Sequence, residues 1–129
     1  MNRLNNKGQT LIMFIILIPV TIMLMALIVD SSYLYIKKAK LENTTANIIE
    51  NLYLKKDDEN IIALVEELYN KNDIQTKKLK VDIQNDYFKI SNEYKIDSIF
   101  GSIIGLKKYD VKVSLKGYYE NDKVKVIKE

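Results

Sequence analysis

Residues Leu11 to Val29, LIMFIILIPVTIMLMALIV, form an uncharged run of nineteen residues directly after the basic residues Arg3 and Lys7. Nothing else in the chain constrains its fold as strongly. At about 1.5 Å rise per residue such a helix crosses most of a roughly 30 Å hydrocarbon layer, so the chain is expected to be anchored in a membrane. Pro19 and Thr21 are the only interruptions. A bilayer helix tolerates both, because a kink is absorbed and a threonine hydroxyl bonds back to its own backbone. The apolar stretch exceeds a secretory h-region, and Val29-Asp30-Ser31-Ser32 lacks a small-x-small cleavage site, so a retained anchor is expected.

Four segments are expected: a basic N-terminal segment 1–9, a transmembrane helix 10–29, an amphipathic helical region 30–75 and an antiparallel β-rich region 76–129. About a hundred residues beyond the span suffice for one small domain. The helix is expected to run on past the membrane to about Leu54, because no Gly or Pro occurs from Ser31 and Leu34, Leu41 and Ile48 recur at heptad spacing. Asp57, Asp58 and Glu59 then suggest capping oxygens for a second helix carrying Ile61, Ile62, Leu64, Val65, Leu68 and Tyr69.

The period then changes to two. Leu79, Val81 and Ile83 alternate with polar residues, Asn85-Asp86 suggests a turn into Tyr87, Phe88 and Ile90, and Val111, Val113 and Leu115 form a third strand. Gly117 reads as a bulge, Asn121-Asp122 as a hairpin turn and Val124 and Val126 as a last strand. The intervening IDSIFGSIIGL (Ile96–Leu106) reads as an apolar connection or short helix. The expected class is α+β, with a long N-terminal helix, a second short helix and a small three- to four-stranded antiparallel sheet.

The chain has no histidine and no cysteine. Disulfides, thiol nucleophiles, Ser-His dyads and the usual zinc sites are thereby excluded, and no clustered side chains supply a base near neutral pH. No catalytic, cofactor-binding or metal-binding residue is assigned and no small-molecule substrate is expected, and a net charge of +3 gives no strong nucleic-acid signature, so no nucleic acid is expected either. Asp57, Asp58 and Glu59 lack an EF-hand pattern and suit a helix start better than calcium. Asp30 reads either as the first polar residue where the helix meets water or as a functional contact. The Leu34, Leu41, Ile48 stripe is either a seam for partner helices or the face covered by the chain's own strands.

Lys7-Gly8-Gln9-Thr10-Leu11, Pro19, Asp30-Ser31-Ser32-Tyr33-Leu34-Tyr35 and Lys40-Leu41-Glu42-Asn43, in that order and spacing, resemble the TadE/TadG-like proteins of tight-adherence pilus systems. The resemblance covers about the first fifty residues and implies a pilin-like, non-catalytic protein of the bacterial cytoplasmic membrane. Its N-terminus would be cytoplasmic, its C-terminal domain extracytoplasmic, and its partners the lipid bilayer and other pilin-like subunits or pilus-assembly membrane proteins. It also implies a prepilin-peptidase junction between Gly8 and Gln9, and a helix-assembly surface including Asp30, Leu34, Tyr35, Leu41 and Ile48. Two positions depart from the pattern. Met13 stands where a polymerising pilin carries a glutamate, so no charge pair with a neighbouring terminal amine can form there, and Ser32 replaces a glycine. Charge counting leaves orientation open, with Arg3 and Lys7 before the span against Lys37, Lys38 and Lys40 after it. The alternative is a membrane-tethered extracytoplasmic binding module that enters no filament.

Overall fold

A computed structural model describes residues 2–129, with side chains from Asn6 onward. Of the expected basic segment, Met1 and the side chains of residues 2–5, Arg3 among them, lie outside the described residues. The chain is α+β: helix α1 (Asn2–Leu52), helix α2 (Ile61–Lys71) and strands β1 (Lys80–Ile83), β2 (Tyr87–Asp97), β3 (Lys108–Glu120) and β4 (Lys123–Lys128). The four strands form one antiparallel sheet in the order β1-β2-β3-β4.

Helix α1 is one unbroken rod of 51 residues, about 77 Å long. It begins earlier than Thr10, the expected start, and Pro19 lies inside it without ending it. The Thr10 and Thr21 hydroxyls donate to the carbonyls four residues back, Asn6 at 2.9 Å and Leu17 at 2.8 Å, as expected for threonine in an apolar helix. From Asn6 to Met25 it is exposed all round, whereas the second half buries Leu41, Ile48, Ile49 and Leu52 beneath the sheet. The heptad stripe is therefore the face covered by the chain's own strands.

The core is two-layered: α1 and α2 on one side, the inner face of β2 and β3 on the other. Phe88, Ile90, Ile96, Val111, Val113 and Leu115 point inward, while Lys89, Ser91, Glu93, Lys112, Ser114 and Lys116 occupy the outer face. On that outer face Glu93 opposes Lys112 and Ser91 opposes Ser114. Lys89 opposes Lys116, a like-charge pair that Glu129 reconciles by reaching both ammonium groups, at 2.9 and 3.8 Å.

Several local expectations change. Gly117 is no bulge, because it pairs in register with Phe88 on one side and Val126 on the other. Its missing side chain is what lets α1 lie down on the sheet: a Cβ there would collide with Cγ2 of Ile49. Asp57, Asp58 and Glu59 do not cap α2, which starts after Asn60 without a side-chain cap. Instead Asp58 Oδ1 accepts the Asn60 amide at 2.9 Å, closing a local turn. Asn121 and Asp122 form the expected hairpin turn, both with positive φ (54° and 61°), the signature of a type I′ turn. Ile96 extends β2 instead of opening the apolar connection.

Polar groups tie the second layer down. The Lys56 ammonium, almost fully buried, donates to the carbonyls of Gln84 and Asn85 at 2.7 and 2.6 Å and so holds the β1–β2 turn against the end of α1. Asn92, on the inner face, donates to the Gln75 carbonyl at 3.0 Å and anchors the segment entering β1. Tyr69 of α2 and Thr45 of α1, both wholly buried, share a hydroxyl hydrogen bond of 2.5 Å.

Candidate functional site: the carboxylate latch at the end of the apolar span

Asp30 is the first charged residue after the apolar run, and it is only 2% exposed. It lies on the same helix face as Leu34, Leu41 and Ile48, at spacings of four, seven and seven, so it faces the domain and not the solvent. What covers it is the β2–β3 connection, residues 98–107. Oδ1 accepts the backbone N–H of Ile99 at 3.0 Å and of Phe100 at 2.9 Å. Oδ2 accepts the N–H of Gly101 at 2.6 Å and the hydroxyl of Tyr109 at 2.8 Å.

The connection is shaped to present those three amides. Ser98 N–H bonds the Lys107 carbonyl at 2.9 Å and closes its base. Gly101–Ile104 then makes one 3₁₀ turn, ended by Gly105 at φ 89°, while Leu106 N–H bonds back to the Gly101 carbonyl. Gly101 is required by space. A Cβ on it would meet the Tyr109 hydroxyl, the Leu106 carbonyl oxygen at 2.7 Å and Asp30 Oδ2 at 2.9 Å.

Burial by itself would push the Asp30 carboxyl up. The Phe100 amide, the Tyr109 hydroxyl and the Gly101 and Ile99 amides together outweigh it and hold the group below its ordinary value of 3.8. The same contact pushes the Tyr109 hydroxyl up, first through the hydrogen bond to Asp30 and then through burial. Asp30 is thus an anion whose acceptor positions are filled by the protein. It joins helix and loop, and presents no free oxygen for proton transfer.

Beside the latch an apolar groove of about 410 Å³ runs along α1 from Asp30 back to Ile22, walled on the other side by Phe100, Ile103 and Ile104. Of the large apolar residues between Leu11 and Val29, every one is exposed, Ile28 at 65% and Leu11 at 64%. Among the residues expected to form an assembly surface, Leu41 and Ile48 are buried under the sheet, Leu34 is half-buried and Asp30 is latched. Tyr35 points away at 74% exposure. The structure brings the first four onto one face and leaves Tyr35 on another. Gly8, Gln9, Leu11, Pro19 and Val29 all lie on the exposed half of the helix.

The three amides and Tyr109 were not legible as partners of Asp30, being 69 to 79 residues away in the chain. One signal was available: a carboxylate on the apolar stripe of a helix calls for a partner. Among the described residues no group of three or more metal-ligating side chains is assembled. Among the described residues one helix is long and apolar enough to cross a membrane. No protein-family model matches the chain, and no curated protein and no solved structure matches it either.

Proposed function

We propose that this protein is a single-pass membrane protein of the pilin-like, TadE/TadG-like kind, acting in assembly of a tight-adherence type pilus through helix packing and not through catalysis. The observation that carries the reading is the continuity of α1. An exposed apolar stretch of about 28 Å, residues 11–29, runs without a break into the half that forms the domain core. A row of large apolar side chains this long is stable only in lipid or against other apolar helices. Because the two halves are one rod, any packing of the span in the membrane sets the position of the domain outside it.

The latch supports a retained anchor over a cleaved signal sequence. A cut near Val29 would have to unwind a helix whose next residue, Asp30, is bonded to four groups of the folded domain. The Gly8-Gln9 junction lies some twenty residues from the latch, on the exposed part of the helix, so processing there leaves the fold intact. We place the domain on the extracytoplasmic side of a bacterial cytoplasmic membrane, and other pilin-like subunits or assembly proteins against the span.

The test is N-terminal sequencing of the mature protein from carbonate-washed membranes, with purified pili probed for the chain. A Gln9 start and presence in pili are expected of a processed subunit. A Met1 start with recovery in membranes alone favours the second reading, a membrane-tethered binding module. That reading draws on Met13 in place of an acid, and on the burial of Leu41 and Ile48 under the chain's own sheet, which removes them from any seam. Recovery in the soluble fraction overturns both.

A further inference from the structure

The β2–β3 connection has a composition at odds with the domain it belongs to. Residues 98–106, SIFGSIIGL, contain no charge, in a chain that is 29% charged. Its large side chains do not fill the core. Ile103 is 79% exposed, and Ile99, Phe100, Ile104 and Leu106 are each more than two-fifths exposed. A connection between two strands that met only water would carry polar residues at these places.

We infer that this connection is a second membrane-contacting element, seated in the acyl-chain region of the leaflet from which the helix emerges. The inference rests on the reading of residues 10–29 as a membrane span. Two features of the geometry converge on it. The latch joins the loop to the helix at Asp30, the first residue beyond the span. The groove between loop and helix extends from there back to Ile22, so Phe100, Ile103 and Ile104 lie alongside the last two turns of the span and not above them. Eight residues of helix correspond to about 12 Å of depth, which places these side chains inside the hydrocarbon if Ile22–Val29 are inside it.

The chemistry around the loop is graded in the same direction. The uncharged stretch ends at Lys107 and Lys108, both exposed, which come back to the level where headgroup phosphates lie. The backbone amides of Ile99, Phe100 and Gly101, which lipid could not satisfy, are satisfied by Asp30. The occupant of the groove is therefore lipid acyl chain, continuous with the lipid around the span. The latch keeps the loop from lifting away and gives the domain a fixed tilt on the membrane, by holding it at two places.

The chain contains no tryptophan, so single substitutions report cleanly. Three full-length variants, Ile103→Trp on the loop, Leu17→Trp in the span and Ile62→Trp on the exposed face of α2, would be reconstituted in phosphatidylcholine–phosphatidylglycerol vesicles with and without brominated acyl chains. All three sites are exposed, so the fold is retained, which circular dichroism checks. The expected result is a blue shift and loss of most of the emission with brominated lipid for Leu17→Trp and for Ile103→Trp, and no change for Ile62→Trp. Quenching of Leu17→Trp alone, with Ile103→Trp quenched by aqueous iodide, overturns the inference and leaves the anchor standing. Ile103→Trp shielded from both quenchers means that a second protein chain occupies the groove, and also overturns it. No bromine quenching of Leu17→Trp overturns the anchor itself.

Discussion

At the scale of single residues, Asp30 shows how a charge can be buried and still be favourable: all its acceptor positions face donors, three of them backbone amides with no other partner to turn to. Because its folded value lies below 3.8, the unfolded chain takes up the proton first as pH falls. The stability it contributes is therefore present above that value and is lost as pH drops through the folded value. Acidification below about pH 4 is expected to release the amides of residues 99–101 to hydrogen exchange before the core of β2 and β3, and Asp30→Asn to release them at neutral pH as well. Equal protection in wild type and Asp30→Asn would refute the latch. Tyr69 gives the opposite dependence. Burial pushes its hydroxyl up to about 12, against a smaller lowering by Thr45, so the unfolded chain ionises first as pH rises above 10. The protein should lose up to about 3 kcal/mol between pH 10 and 12, at about 1.4 kcal/mol per unit. Denaturation of Tyr69→Phe in detergent micelles should show a shallower slope over that window, with Tyr94, raised by burial in the same sense, supplying part of the remainder.

Among the elements, the contact of α1 with β3 decides the arrangement. Ile49 sits in the place where any residue but glycine at 117 would put a Cβ. Gly117→Ala is expected to destabilise the domain by about 1–3 kcal/mol through overpacking. Adding Ile49→Ala should recover part of that loss, so the double mutant lies above the sum of the two single effects. Additive effects in denaturant titrations would mean that the helix does not rest on Gly117. The helix itself was legible from residue spacing, because the stripe Leu34, Leu41, Ile48 recurs along a segment free of Gly and Pro. The strands were legible in part. Val111, Val113 and Leu115 alternate cleanly, whereas β2 runs on to Asp97 past Asn92 and Tyr94, inner-face positions whose polar groups hide the alternation. Only the pairing with β3, unbroken from Tyr87↔Tyr118 to Asp97↔Lys108, carries the strand that far.

For the molecule as a whole, one rod carries an exposed apolar half and a half that forms the domain core, and the domain is complete without most of the apolar half. The groove reaches back only to Ile22, and every residue from Asn6 to Met25 is exposed. Removing residues 1–20 is therefore expected to make the protein extractable from membranes by carbonate, while circular dichroism and amide protection of β2 and β3 stay as in the full chain. Loss of the sheet signal in the truncated chain would show that the apolar half contributes to the domain's fold. The apolar half that carries the proposed assembly role is thus a part of the molecule that the domain's own folding does not need.

What the sequence by itself determined is local: an apolar run long enough to cross a membrane, a heptad stripe that continues it as a helix, and a change of period that turns the second half into strands. Each follows from residues within one or two turns or a few strand positions of one another. Only the tertiary structure decided which of two readings the stripe takes, and it made that stripe the core. It also decided that Asp30 closes on amides about seventy residues away, that Gly117 is a seat for Ile49, and that the uncharged loop lies beside the span. These are contacts between distant segments, and no periodicity encodes them. Their partners become neighbours only after the chain has packed its helix across its sheet.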